Sequence, residues 1–197
     1  LKLKKTITEV PRHVEKTISA SEPDVNELAE KLKSNSFVFL LGSGPNYATS
    51  LEGALKLKEA AGVFAEGFAT REFIHGPMQL ISEGTPIIVF MPQSEGREES
   101  LRITDNFKRL GANIILVTCY EDETKVGDEY YQCIDVERKV DEIFTPIVYI
   151  VPIQLFAFHI AVKKGLDPDK PEKWSKEVAE DLAKTENAYP MGRDARF

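Results

Sequence analysis

The segment 51–59, Leu-Glu-Gly-Ala-Leu-Lys-Leu-Lys-Glu, places Glu52, Lys56 and Glu59 at i, i+4 and i+7. On a helix these positions share one stripe, so two carboxylates and an ammonium meet along a single line. Further on, His75 stands in Phe-Ile-His-Gly-Pro. Gly76-Pro77 ends any local extended run and presents the imidazole at the start of a short helix. A carboxylate, an ammonium and an imidazole brought to one cleft form a proton-transfer set. Spacing alone also describes, and by itself favours, a solvated ladder of i,i+4 charge pairs, and a lone histidine is most often structural or simply exposed.

The flanking segments must position these groups. Residues 36–41 (SFVFLL) are short, apolar and aromatic or β-branched, which predicts a buried parallel strand. Gly42-Ser43-Gly44 turns the chain, and Asn46 or Thr49 is expected to cap a helix over 47–61 whose packing side is Leu51, Ala54, Leu55 and Leu57. A strand, a glycine turn and a helix start leave backbone N–H groups and a helix dipole pointing into one pocket, so Ser43 and Gly44 become candidate substrate-binding residues. A plain turn is an equally good reading of those glycines.

Further apolar runs predict strands at 63–68, 85–91, 113–118 and 130–136, with a helix following the segment 92–99 and running to about 110, helices at 143–164 and 172–184 and a short one at 77–81. Before the first strand the expectation is an extended leader over 1–12 and two helical pieces over 13–34, broken near Ser21-Glu22-Pro23. The strand–helix alternation predicts an α/β fold: about five parallel strands with helices on both faces. Ligands in such sheets bind at the carboxyl ends of the strands, where Ser43, His75 and Gln93 are expected. The polar stretch from Thr185 to the end reads as a mobile tail.

Composition narrows the function classes. The 197 residues are 42% hydrophobic and 29% charged, as in an ordinary globular domain. A net charge of −7 without a basic stripe argues against nucleic acid. Cys119 and Cys133 sit in apolar, strand-like surroundings away from metal-ligand spacing, which fits reduced thiols of a cytoplasmic protein. The apolar run 144–162 contains Pro146, Pro152, Gln154 and His159, so a buried core helix is expected rather than a membrane span. The N-terminal LKLKK has no apolar stretch after it and is not a signal peptide; the leading Leu suggests a fragment, a processed chain or a piece of something longer.

LEGALKLKE followed by AEGFATREFIHGP resembles the sugar isomerase (SIS) family, and within it the second SIS half of the isomerase part of glutamine–fructose-6-phosphate amidotransferases. The resemblance covers about 36–178 and implies a three-layer SIS sandwich over 36–171, after an N-terminal helical segment (1–35) and before a C-terminal helix and tail (172–197). It implies aldose–ketose isomerisation of fructose-6-phosphate and glucosamine-6-phosphate, without metal or organic cofactor. Glu59 would be the enediol base, Lys56 would tune or relay protons, and Glu52 would hold Lys56 beside the substrate. His75 would open the sugar ring in a neighbouring subunit's site, so a homodimer or a pairing with another SIS domain is expected. Lys176 would close over the open-chain sugar from a C-terminal tail. The Ser/Thr-rich phosphate cradle of the family is absent: the matching strand end reads Pro92-Gln93-Ser94-Glu95-Gly96-Arg97-Glu98, whose acidic residues repel phosphate. The phosphate grip is therefore expected in a first SIS half outside these residues. Glucosamine-6-phosphate deaminase, fructosamine-6-phosphate deglycase and a non-catalytic sugar-phosphate-binding subunit share enough of the pattern to remain alternatives.

Overall fold

In the computed structural model, residues 2–119, 132–136, 140–170, Glu180, Asp181 and Lys184 are described. The expected C-terminal helix, Lys176 and the tail lie outside the described residues apart from those last three.

Five parallel strands form one sheet: β1 (Phe37–Gly42), β2 (Phe64–Ala69), β3 (Pro86–Phe90), β4 (Asn113–Thr118) and β5 (Gln132–Asp135), in the order β2-β1-β3-β4-β5. Register is fixed by pairs such as Phe39↔Glu66, Phe39↔Ile87, Ile88↔Ile115 and Leu116↔Cys133. Alternate residues serve opposite faces, which is why these strands read as unbroken apolar runs. Val38, Leu40, Ile88, Phe90, Ile115 and Val117 face one core cluster; Phe39, Leu41, Ile87, Val89, Ile114 and Leu116 face the other.

Helices α1 (Lys2–Leu32), α2 (Asn46–Ala61), α5 (Thr145–Tyr149) and α6 (Val151–Lys163) cover the first face. The short α3 (Thr70–Phe73), a 3-10 turn at Pro77–Leu80 and α4 (Arg97–Arg109) cover the second. There Phe73 meets Phe39 and Phe107 edge-on, each at a centroid distance of 5.1 Å. The result is the three-layer α/β sandwich expected from the strand–helix alternation.

The N-terminal region departs from expectation. In place of an extended leader and a helix pair broken near Pro23, α1 is continuous through Pro11 and Pro23. Its stripe Val10, His13, Thr17, Ser21, Val25, Leu28 and Leu32 is buried along its length. That packing, mostly against α6, outweighs the ~3 kcal/mol that an interior proline withdraws from a helix. His159 Nε2 lies 2.8 Å from Glu22 Oε1 and fastens α6 to α1 beside Pro23.

The apolar run 142–163 is long and apolar enough to cross a membrane by length and composition, but Val148, Ile153, Phe156, Ala157 and Ile160 are buried in the core. It is interrupted at Ile150, just ahead of Pro152, giving α5 and α6 rather than one helix.

Candidate active site

Two constellations emerge, at different places on the molecule. The first is the outward flank of α2. Its inward face is Gly53, Ala54, Leu57 and Ala61, all buried. Leu51 and Leu55, expected on the packing side, are instead exposed at 46% and 42%, in line with exposed Tyr47 at i, i+4 and i+8. The small residues Gly53 and Ala54 let α2 sit close to the sheet and α6, which rotates the two leucines outward.

Beside this apolar stripe runs the charged one. Lys56 Nζ donates to Glu59 Oε2 at 2.7 Å and lies 3.5 Å from Glu52 Oε1. The hydrogen bond to Glu59, with the charge of Glu52 behind it, raises the Lys56 pKa above its ordinary value. Lys56 is thus held as a cation between two carboxylates. The structure brings Glu52, Lys56 and Glu59 together, and does not add His75 to them. His75 is exposed beyond α3, its N–H donating to the Glu72 carbonyl at 3.0 Å, and among the described residues its side chain makes no hydrogen bond or ion pair.

The second constellation is a cleft of about 270 Å³ at the carboxyl ends of β2, β1 and β3, where the strand order reverses. Ser43 and Gly44 line it from the turn after β1, Thr70 and Arg71 from α3, and Glu99 and Ser100 from α4. Ser43 Oγ and Ser100 Oγ share a hydrogen bond at 3.2 Å across the gap. At the rim Arg71 Nη2 donates to Glu99 Oε2 at 2.5 Å, which holds the Glu99 carboxyl below the usual range and raises Arg71. Arg97 Nη1 donates to the Met91 carbonyl at 2.6 Å and to Thr118 Oγ1 at 3.0 Å, pinning the start of α4 to the ends of β3 and β4. Gln93 follows β3 but is exposed and does not line the cleft.

Glu59 is 13 residues beyond Asn46 on α2, about 20 Å along the axis at 1.5 Å per residue. Glu52, Lys56 and Glu59 are absent from the lining of the cleft, to which Ser43 and Gly44 belong. The expected cap is also absent. Asn46 is the first helical residue, and its buried side chain donates to Thr145 Oγ1 at 2.8 Å and accepts from Thr49 Oγ1 at 3.0 Å, tying α2 to α5. Sequence reasoning missed Thr70, Glu99 and Ser100 as cleft residues; one signal was available, a hydroxyl at the foot of each segment that follows a strand. Among the described residues no group of three or more His, Cys, Asp or Glu is placed to hold a metal ion.

A parallel sheet of this order, flanked by helices on both faces, makes the chain a doubly wound three-layer α/β domain. Residues 24–164 match the SIS domain, and the chain belongs to that family. Its relatives include the glutamine–fructose-6-phosphate aminotransferases (isomerizing) of Methanothermobacter thermautotrophicus, 38% identical over 169 residues, 85% of this chain and 28% of that protein. The Thermococcus kodakarensis enzyme of the same name is 38% identical over 177 residues, 90% of this chain and 29% of that protein. The chain thus spans under a third of the length of these relatives. Among solved structures, the C-terminal domain of glucosamine-fructose-6-phosphate aminotransferase from Francisella tularensis superposes with a TM-score of 0.80 at 25% identity, over 86% of this chain and 47% of that one. Glucosamine-6-phosphate deaminase from Thermotoga maritima superposes at 0.65, also at 25% identity, over 85% and 47%.

Proposed function

We propose that the chain is the base-bearing half of a phosphosugar aldose–ketose isomerase acting on fructose-6-phosphate and glucosamine-6-phosphate, of the kind found in glutamine–fructose-6-phosphate aminotransferases. The observation that carries this reading is the Glu52–Lys56–Glu59 contact on an exposed flank of α2, in a chain 38% identical to two such enzymes over most of its length.

Isomerisation moves one proton between C1 and C2 of the open-chain sugar. The Glu59 carboxylate takes the proton from one carbon, leaving an enediol-type intermediate, and returns it to the other, while a second proton passes from the hydroxyl on the first carbon to the carbonyl oxygen on the second, so atoms and charge balance. Lys56, with its raised pKa, works as a fixed cation that stabilises the negative charge developing on the sugar oxygens rather than as a neutral proton carrier. Glu52 orients Lys56. His75, exposed and uncommitted to any described neighbour, opens the ring in a partner's site, and Lys176 closes over the substrate. No cofactor is required, since the proton acidified by a neighbouring carbonyl is moved by side chains alone.

The exposed Tyr47, Leu51 and Leu55 beside the charged stripe support a composite site completed by another SIS half or a second copy, which also supplies the phosphate grip. A cytoplasmic setting fits this chemistry.

Hydrogen–deuterium exchange at C1 and C2 tests the reading. Fructose-6-phosphate in heavy water is followed by NMR with the chain alone and with an added SIS half bearing a Ser/Thr phosphate cradle. Deuterium enters the sugar with wild type, and Glu59→Gln slows entry by about 10²–10⁴-fold. Equal exchange by both proteins excludes Glu59 as the base. The likeness to the Thermotoga deaminase favours a second reading, in which glucosamine-6-phosphate releases ammonia through the same residues; ammonia assay of the same mixtures separates the two.

A further inference from the structure

The last turn of α2 carries Glu59, and its end is held from outside the helix. The final carbonyls of a helix have no partner within it. Gly62 closes α2 in the left-handed region at φ 58°, and its N–H donates, together with that of Val63, to the Leu57 carbonyl. The Ala61 carbonyl, two residues beyond Glu59, is not reached by that closure. It accepts instead from Lys164 Nζ at 3.0 Å, a partner 103 residues away in sequence.

Lys164 is itself braced. Its backbone N–H donates to the Ile160 and Ala161 carbonyls at 2.9 and 3.1 Å, and Gly165, at φ 73°, turns the chain away directly after it. α6 is tied in turn to α1, by His159 Nε2 and Glu22 Oε1 at 2.8 Å and by Lys163 Nζ and Glu30 Oε2 at 3.5 Å. The ammonium therefore reaches α2 from a fixed helix end, and it meets the negative pole of the α2 dipole there. Helix ends fray when nothing holds them. A base that moves a proton between two carbons tolerates little displacement, since a misplacement of about 1 Å costs on the order of 10²-fold in rate.

We infer that Lys164 is a positioning residue for the Glu59 base: by bonding the Ala61 carbonyl it holds the last turn of α2, and with it the Glu59 carboxylate, in the place from which the sugar proton is taken. It acts through the main chain and moves no proton itself. The inference rests on the isomerase reading of the α2 stripe.

The test runs the deuterium-exchange assay on fructose-6-phosphate, with the added SIS half, over a range of substrate concentrations. Lys164→Met keeps a stem of similar length and removes the donor. It lowers kcat about tenfold and leaves KM within about twofold of wild type. Lys164→Arg, which still donates, recovers most of the rate. In a Glu59→Gln background Lys164→Met changes the residual rate little, because its effect passes through Glu59. Without substrate, amide hydrogen exchange at Lys58 to Ala61, read by NMR, quickens about tenfold in Lys164→Met, while the amides of β3 keep their protection. The inference is overturned if Lys164→Met turns over like wild type, if it raises KM alone, if its effect is undiminished beside Glu59→Gln, or if the last-turn amides exchange at the wild-type rate. A wild type that introduces no deuterium sinks the isomerase reading and this inference with it, whereas an active wild type matched by Lys164→Met sinks this inference alone.

Discussion

The two faces of α2 are built from the same sixteen residues and obey different rules. Inward, Gly53, Ala54, Leu57 and Ala61 are buried against the sheet and α6, and the face is complete within one chain. Outward, Tyr47, Leu51 and Leu55 stay over 40% exposed beside a cation clamped by two carboxylates. An apolar row in water next to an ordered charge relay contributes little to the stability of this chain. The inner face makes the fold, and the outer face is left to solvent in this chain.

Leu57→Ala is the strongest way to break the comparison. It opens a cavity in the larger core and lowers unfolding free energy by about 2–5 kcal/mol, measured by denaturant titration. Asn46→Ala comes next. It strands Thr49 Oγ1 and removes the donor to Thr145 Oγ1, which keeps its bond to the Glu142 carbonyl, for a loss of about 1–3 kcal/mol by the same method. If that loss is absent, the buried polar tie does not position α2.

The Arg71–Glu99 pair gives a smaller, pH-dependent effect. Because Arg71 depresses the folded-state pKa of Glu99, the pair stabilises above the unfolded-state carboxyl pKa and loses that stabilisation as pH falls through the folded value. Unfolding curves of wild type and Glu99→Gln therefore differ at neutral pH and converge in strong acid. Smallest of all, Leu55→Ala changes stability by less than about 0.5 kcal/mol, while reducing self-association or capture of a second SIS half in sedimentation. A loss comparable to that of Leu57→Ala would mean that α2 has no free face.

Much of this was legible in the sequence. The apolar runs gave each strand to within a few residues, and the family pattern gave the fold. The charged stripe Glu52, Lys56 and Glu59 was visible because i, i+4 and i+7 depend only on helix geometry. What escaped depended on neighbours. Pro11 and Pro23 carry the same local signal whether a helix stops or passes through, and only the buried stripe on α6 decides. Leu51 and Leu55 read as core until Gly53 and Ala54 are seen to take the seat. Thr70 and Ser100 are ordinary alone, and come to line one cleft only because the order β2-β1-β3 sets them beside Ser43.

The seat of α2 carries one more consequence. A Cβ on Gly42 would lie 2.0 Å from the Asn46 carbonyl oxygen, and one on Gly67 would lie 2.6 Å from the Ser50 backbone. At these two points the helix rests directly on the main chains of β1 and β2, while the side chains of Leu40 and Ile153 close in under Gly53. Its height above the sheet at these two points is thus set by main-chain contact. A side chain at Gly42 or Gly67 would have to lift the first turns of the helix off the sheet.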